Sequence, residues 1–155
     1  MKNKRTNIGF IGAGNMASAL IAGLIGDGFN NSHIFASSPE DDHLERLNKE
    51  FLVNVTPKNK EVFDSCLTVV LAVKPNVINS VLKESKFSID KNNNLLISIV
   101  AGCTIDSIQA KVGKKIKIIR AMPNTPASIG MGVSALTNNH LVTLKDKTRA
   151  ENIFN

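Results

Sequence analysis

Short apolar runs alternate with amphipathic segments along most of this chain, and that alternation predicts its fold. Predominantly apolar runs of the length of strands occupy residues 8–11, 33–37, 66–73, 95–100 and 116–121, and the run 66–73 is apolar or β-branched throughout. The segments between them carry apolar residues at helical spacing; Ser38-Pro39 and Thr56-Pro57 predict capped helix starts, and Pro75 predicts the start of the helix after the run 66–73. Strands that alternate with helices form a parallel sheet, so we predict a doubly wound, mainly parallel α/β fold with helices on both faces.

Weaker patterns complete this prediction. Residues 53–55 have the character of a short strand, and residues 132–136 of a last strand. Leu141, Leu144 and Ile153 predict a final helix. With 155 residues, the chain has room for one domain with a proper core, and a second full domain does not fit.

The turn between the first strand and the first helix carries the most informative motif. Residues 12–17 read Gly-Ala-Gly-Asn-Met-Ala, the dinucleotide-binding pattern with alanine in its third position. Gly12 permits the sharp turn, Gly14 lets a pyrophosphate approach bare backbone, and the small Ala17 keeps the helix close to the sheet. The phosphates would then bind unpaired N–H groups of the helix. A purely structural turn is the alternative, because any strand-to-helix turn can use glycines.

The end of the second strand bears on the choice of cofactor. NAD enzymes of this fold carry an Asp or Glu there, which accepts hydrogen bonds from the adenosine ribose. Ser37 and Ser38 take that place here, and hydroxyl groups can donate to a 2′-phosphate, which favours NADP, although no arginine stands beside them. Ser38 followed by Pro39 is also a helix-start pattern, so a capping role alone is the alternative.

Other strand ends carry further candidates. Lys74 lies just outside the carboxyl end of the central run 66–73, the edge where open α/β sheets bind ligands; a solvated lysine is the alternative. Gly102 allows close backbone approach after the next strand, and Thr104 predicts a cap on a helix over 105–112. Two prolines make the loop 122–130 rigid and rich in polar side chains.

Composition narrows the function. The net charge is +6, but the basic residues are dispersed and the chain has no Trp or Tyr to stack on bases. The charge therefore indicates a solvated surface that attracts an anionic cofactor, with nucleic acid as the weaker alternative. Two separated cysteines and three scattered histidines predict no metal site. The basic N-terminus is not followed by a signal-peptide pattern and no apolar run is long enough to span a bilayer, so we expect a soluble, cytoplasmic protein.

Five motifs, taken together, resemble those of pyrroline-5-carboxylate reductase, the last enzyme of proline biosynthesis. They lie at residues 10–16, 36–39, 56–59, 72–75 and 120–126, the last reading Arg-Ala-Met-Pro-Asn-Thr-Pro. The resemblance covers essentially the whole chain. It implies a Rossmann-like domain that binds NAD(P)H and a reaction that moves hydride to the C=N carbon of 1-pyrroline-5-carboxylate, giving L-proline; because of Ser37 and Ser38, we expect NADP(H) to be preferred to NAD(H). It also implies a small-molecule substrate, a homo-oligomer for the full-length enzyme, and neither nucleic acid nor membrane as partner.

The resemblance also implies the cofactor contacts, while no catalytic acid or base can be assigned from these residues. Glu40 counts against NADP, because a carboxylate opposes a 2′-phosphate. The candidate cofactor-binding residues are Ile11, Gly12, Ala13, Gly14, Asn15 and Met16 at the pyrophosphate, Ser37, Ser38 and Glu40 near the adenosine ribose, Asn59, Ala72, Val73, Lys74, Pro75, Ala101 and Gly102 along the crevice, and Met122, Asn124 and Thr125 toward the nicotinamide.

Members of that family continue into a helical domain that dimerises and carries the substrate contacts. We therefore expect residues 1–137 to form the NAD(P)-binding domain and residues 138–155 a helix leading to a C-terminal domain absent from this chain. Such a chain would bind cofactor without turnover. Two alternatives stay open: another NADP-dependent reductase, of the β-hydroxyacid or deazaflavin-linked type, and a non-catalytic dinucleotide-binding module.

Overall fold

A single sheet organises the protein. The structure is a computed structural model that describes residues 7–90, 94–113, 115–123 and 134–154. Its strands are β1 (Ile8–Ile11), β2 (Ile34–Ser37), β3 (Asn54–Thr56), β4 (Thr68–Leu71), β5 (Leu95–Ser98), β6 (Lys117–Pro123) and β7 (Ser134–Asn138). They are ordered β3-β2-β1-β4-β5-β6-β7, with β1 to β6 parallel and β7 antiparallel to β6. The predicted mainly parallel, Rossmann-like sheet is confirmed.

Helices cover both faces of this sheet, as predicted. They are α1 (Asn15–Gly26), α2 (Asp41–Phe51), α3 (Asn59–Ser65), α4 (Ile78–Ser85), α5 (Ile105–Val112) and α6 (Leu144–Phe154), with a 3-10 turn at Asn31–His33. Buried side chains of α1, α2 and α6 belong to one core cluster, and those of α3, α4 and α5 to a second. The two clusters lie on opposite faces, because successive strand residues alternate between them.

The alternation explains why the central strands read as predominantly apolar runs. All four residues of β4 are buried; Val70 packs in the first cluster, and Val69 and Leu71 pack in the second. Both faces of such a strand must be apolar, and each buried Val or Leu side chain contributes about 1.5–3 kcal/mol.

Gly9 in β1 provides the space for α3. A Cβ atom built at Gly9 would lie 2.3 Å from Cγ1 of Val62 and 3.1 Å from Sγ of Cys66. A larger residue at this position would push α3 off the sheet.

A partly buried ion pair, in which Asp146 is buried and Lys117 is half-buried, attaches α6 to the sheet. The Asp146 carboxylate accepts hydrogen bonds from the Thr143 backbone N–H and hydroxyl at 3.0 and 2.7 Å, and lies 3.0 Å from Lys117 Nζ on β6. Burial raises the pKa of Asp146, but the Thr143 hydrogen bonds and the Lys117 ammonium together outweigh burial and lower that pKa. The same helix buries Ala150, Ile153 and Phe154 in the core cluster of α1.

Three helix starts differ from the sequence prediction. Ser38 and Thr56 do not cap α2 and α3; each hydroxyl accepts the N–H two residues later, at 3.2 and 3.1 Å, so each closes a turn before its helix. Pro75 likewise lies in a turn, and α4 begins at Ile78. The predicted Thr104 cap on α5 is confirmed, because its hydroxyl accepts from Ser107 N at 3.1 Å.

Candidate functional site

The carboxyl ends of the central strands reach the same edge of the sheet. Ile11 at the end of β1 lies opposite Ser37 of β2 on one side and Leu71 of β4 on the other, and Leu71 lies opposite Ser98 of β5. The segments that follow these strands contain most of the predicted site residues. The register therefore brings those segments together at one edge.

Gly12 opens the turn that leaves β1. Its N–H donates to the Ser37 carbonyl at 2.8 Å, its φ is +107°, and a Cβ atom there would lie 2.4 Å from the Ala72 carbonyl oxygen. The positive φ and the lack of space both exclude a side chain at this position. The turn is thus held between the segments after β2 and β4.

Gly14 has the opposite surroundings. Its backbone is extended, with φ −79° and ψ −168°, and a Cβ atom built there would meet nothing within 4 Å. Gly14 is the N-cap of α1, so no side chain at the cap position hydrogen-bonds to the first N–H groups of the helix. The first turn of the helix carries no acidic residue. The space beside Gly14 is therefore open at the start of α1, where the first N–H groups lack partners within the helix and would bind an anion.

Arg46, which no motif in the sequence indicates, contacts the glycine loop, defined as residues 12–14. Nη2 of Arg46, on α2, donates to the Ala13 carbonyl at 3.1 Å and lies 3.5 Å from Ser18 Oγ. Ser18 Oγ in turn donates to the Gly14 carbonyl at 3.0 Å. The sequence has no arginine directly beside Ser37 and Ser38, and Arg46 reaches the glycine loop because α2 packs alongside α1.

Ser37, the last residue of β2, and Ser38, the residue after it, differ in their hydrogen bonds. Ser37 is fully buried, and its hydroxyl donates to Oδ1 of Asn59 at 2.7 Å. Ser38 is 4% exposed, and its oxygen accepts from Glu40 N, which leaves the hydroxyl proton available to an acceptor. The Glu40 carboxylate lies 2.9 Å from Nδ1 of His43 on its own helix.

The other predicted residues lie along the same edge, so far as the structure describes them. Ala72 N donates to the Ile11 carbonyl at 2.9 Å, which continues the β1–β4 pairing. Lys74 and Pro75 are exposed after β4, Ala101 and Gly102 are exposed after β5, and Met122 is 46% exposed near the end of β6. Asn124 and Thr125 lie outside the described residues.

The described residues hold no cluster of three or more His, Cys, Asp or Glu side chains that could bind a metal ion. In that same part of the chain, no helix combines the length and apolar character needed to cross a membrane. What the edge offers is backbone N–H groups, hydroxyl groups and the exposed cations Arg46 and Lys74. These groups suit a polyanionic ligand.

Comparison with known proteins gives the family. A sequence model of the family described as NADP oxidoreductase, coenzyme F420-dependent, matches residues 7–102. The pyrroline-5-carboxylate reductase of Escherichia coli is 40% identical over 148 residues, which are 95% of this chain and 55% of that enzyme. The chain thus spans about half the length of the curated relatives it matches.

Two solved structures agree with this similarity. A pyrroline-5-carboxylate reductase from Coxiella burnetii superposes with a TM-score of 0.93 at 37% identity, over 98% of this chain and 56% of that one. The pyrroline carboxylate reductase of Plasmodium falciparum, solved with NADP bound, gives 0.84 at 33% identity, over 100% and 55%. The chain therefore belongs to the NADP oxidoreductase, coenzyme F420-dependent, family, and along nearly its whole length it is similar to the N-terminal domain of pyrroline-5-carboxylate reductases.

Proposed function

We propose that this chain forms the NADP(H)-binding part of a reductase that acts on 1-pyrroline-5-carboxylate and yields L-proline. The observation that carries the proposal is the open space beside Gly14 at the start of α1, where no side chain caps the first N–H groups of the helix. The relatives' names supply the substrate, and the Plasmodium falciparum structure supplies NADP as the cofactor of a similar domain.

The residues divide into those that shape the site and those that would bind. Gly12 and Ser37 shape it, because the first fits only as glycine and the second holds Asn59 by a buried hydrogen bond. The N–H groups after Gly14 would bind the pyrophosphate, and Ser38 the adenosine ribose or its phosphate. Asn59 keeps its amide N–H groups free of partners among the described residues and would donate to a ribose oxygen.

When bound, reduced nicotinamide would supply the hydride for the C=N carbon of the substrate. In this chain Met122 would lie toward that end, together with Asn124 and Thr125, as the family resemblance implies. The contacts that hold the substrate carboxylate and protonate the nitrogen belong, in this proposal, to the further part of the enzyme that the longer relatives have. The complete enzyme would be a homo-oligomer.

Titration of this chain with NADPH and NADH, followed by nicotinamide fluorescence, tests the cofactor site. We expect both to bind, with NADPH the tighter ligand. Ser38→Ala should weaken NADPH by roughly ten- to hundredfold and leave NADH within about twofold, because a hydrogen bond from a hydroxyl group to a charged phosphate is worth about 1.5–3 kcal/mol. Equal weakening of both nucleotides would assign Ser38 to its turn alone, and absence of binding would refute the proposed site.

An assay of proline formation from 1-pyrroline-5-carboxylate and NADPH tests whether this chain binds the cofactor but lacks the substrate contacts. This chain should give no turnover, although it binds NADPH. A rate of order 10 per second, which is ordinary for an enzyme, would show that the chain holds its own substrate site.

The family description favours one second candidate, a reductase that uses coenzyme F420. Both candidates need the same nicotinamide site, so the nucleotide titrations do not separate them. Hydride exchange between NADPH and F420, assayed with a protein that joins this chain to the further part that the relatives have, would distinguish the two candidates, because the first candidate predicts no exchange.

A further inference from the structure

We propose that Arg46 is a specificity-determining residue that binds the 2′-phosphate of NADPH. This inference rests on the proposed dinucleotide site and adds a residue to it. The evidence is the position of the guanidinium, the partners it has, and the partners it lacks.

Arg46 presents a permanent positive charge at the glycine loop. Its Nη2 donates to the neutral Ala13 carbonyl, 33 positions earlier in the sequence, and lies near the Ser18 hydroxyl. Within the described ranges, Nη1 and Nε have no hydrogen-bond partner, and no carboxylate forms an ion pair with this residue. The side chain is exposed. Most of its donors are therefore available to a ligand.

Guanidinium groups match phosphate geometry with two parallel hydrogen bonds. Nη1 and Nε, which have no partner among the described residues, would donate to the phosphate while Nη2 keeps its bond to the carbonyl of the buried Ala13.

The position of α2 decides which phosphate is involved. The pyrophosphate is served by the N–H groups at the start of α1, whereas the end of β2 and the helix after it face the adenosine ribose in this fold. Arg46 belongs to that helix. The acidic residue closest in sequence to the ribose position, Glu40, is engaged with His43 and does not pair with Arg46.

Four probes separate the phosphate sources: NADPH, NADH, adenosine 2′,5′-bisphosphate and 5′-ADP. Each is titrated into the wild-type chain, Arg46→Gln and Arg46→Lys. Lys49→Gln is the matched control, because Lys49 is exposed on the same helix and its removal changes the net charge equally. Thermal unfolding of each variant verifies that α2 is intact.

We expect Arg46→Gln to weaken NADPH and adenosine 2′,5′-bisphosphate by about tenfold or more, with NADH and 5′-ADP within about twofold. Arg46→Lys should recover part of the loss, since it restores the charge but not the paired geometry. Lys49→Gln should leave all four within about twofold, because an isolated surface charge contributes little.

Two results would overturn the assignment. Equal weakening of NADPH and NADH by Arg46→Gln would show that the side chain braces the loop or contacts the pyrophosphate, and unchanged affinities would show no ligand contact. Failure of the wild-type chain to bind any nucleotide is a distinguishable result, because it refutes the proposed dinucleotide site itself.

Discussion

We expect Gly12→Ala and Gly14→Ala to have different effects: the first should destabilise the fold, and the second should weaken ligand binding. In Gly12→Ala the new methyl group would lie 2.4 Å from the Ala72 carbonyl oxygen, on a backbone with φ +107°. In Gly14→Ala it would enter space with no atom within 4 Å, on a backbone that any residue adopts. The first change therefore tests folding, and the second tests ligand binding.

The magnitudes follow from these surroundings. A left-handed backbone costs an alanine about 1–2 kcal/mol and overpacking costs about 1–3 kcal/mol, so Gly12→Ala should destabilise the fold by about 2–5 kcal/mol. For a domain of this size that lowers Tm by about 5–15 °C. At Gly14, the weaker capping by alanine and the lower entropy of the unfolded chain offset each other to within about 1 kcal/mol.

Binding should respond in the reverse order. The Gly14→Ala methyl group occupies the space in which a pyrophosphate would reach the first N–H groups of α1. Loss of one charge-assisted hydrogen bond costs about 1.5–3 kcal/mol, so NADPH affinity should fall by roughly ten- to hundredfold.

Thermal unfolding by circular dichroism and NADPH titration by fluorescence measure the two effects on the same preparations. Gly23→Ala, at an exposed position on α1 where a Cβ atom also meets nothing within 4 Å, is the matched control and should bind as wild type. Wild-type NADPH affinity in Gly14→Ala, or wild-type Tm in Gly12→Ala, would refute the reasoning.

Three further substitutions test the packing of the fold. Asp146→Asn should lower the free energy of unfolding at pH 7 by about 1–3 kcal/mol, measured by urea unfolding at pH 7 and pH 3. Because the pKa of Asp146 in the folded protein lies below the ordinary 3.8, the difference between wild type and variant should be complete above pH 3.8 and vanish as the pH falls through the folded pKa. Leu52→Gly should raise Tm by about 1–4 °C in a thermal melt, since Leu52 is 70% exposed with φ 55°, and a lower Tm would contradict this. Gly9→Ala should cost about 1–3 kcal/mol by its clash with Val62, and an unchanged urea midpoint would show that α3 shifts freely.

The sequence was sufficient for the features that local chemistry determines. A strand buried on both faces is predominantly apolar, so β4 and β5 were visible as apolar runs, each with one small hydroxyl residue. Gly12 was identifiable because a tight strand-to-helix turn requires a residue without Cβ, and the structure gives it φ +107°. Thr104 was identifiable as a cap because its hydroxyl meets an N–H three residues later.

Features that depend on distant segments were not predictable. Arg46 meets Ala13 only because α2 packs beside α1, and the Lys117–Asp146 pair joins residues 29 positions apart across β6 and α6. The Ser38 error has a different cause. Ser-Pro fits both a helix start and a turn, and Glu40 has an extended backbone with φ −100° and ψ 111°, so the helix begins after it.

The backbone of the candidate site is fixed before any ligand arrives. The strand pairing continues one step beyond the strands themselves, through Gly12 N to the Ser37 carbonyl, Ala72 N to the Ile11 carbonyl and Ile99 N to the Leu71 carbonyl. Each of these bonds joins neighbouring parallel strands, so the loops at the edge inherit the rigidity of the sheet. A dinucleotide would therefore find the N–H groups of α1 already placed, and little of its binding energy would be spent on ordering the chain. The groups that would move on binding are side chains such as Arg46. We therefore expect the selectivity between NADPH and NADH to depend on these side chains, and the affinity for the shared pyrophosphate to depend on the glycine loop.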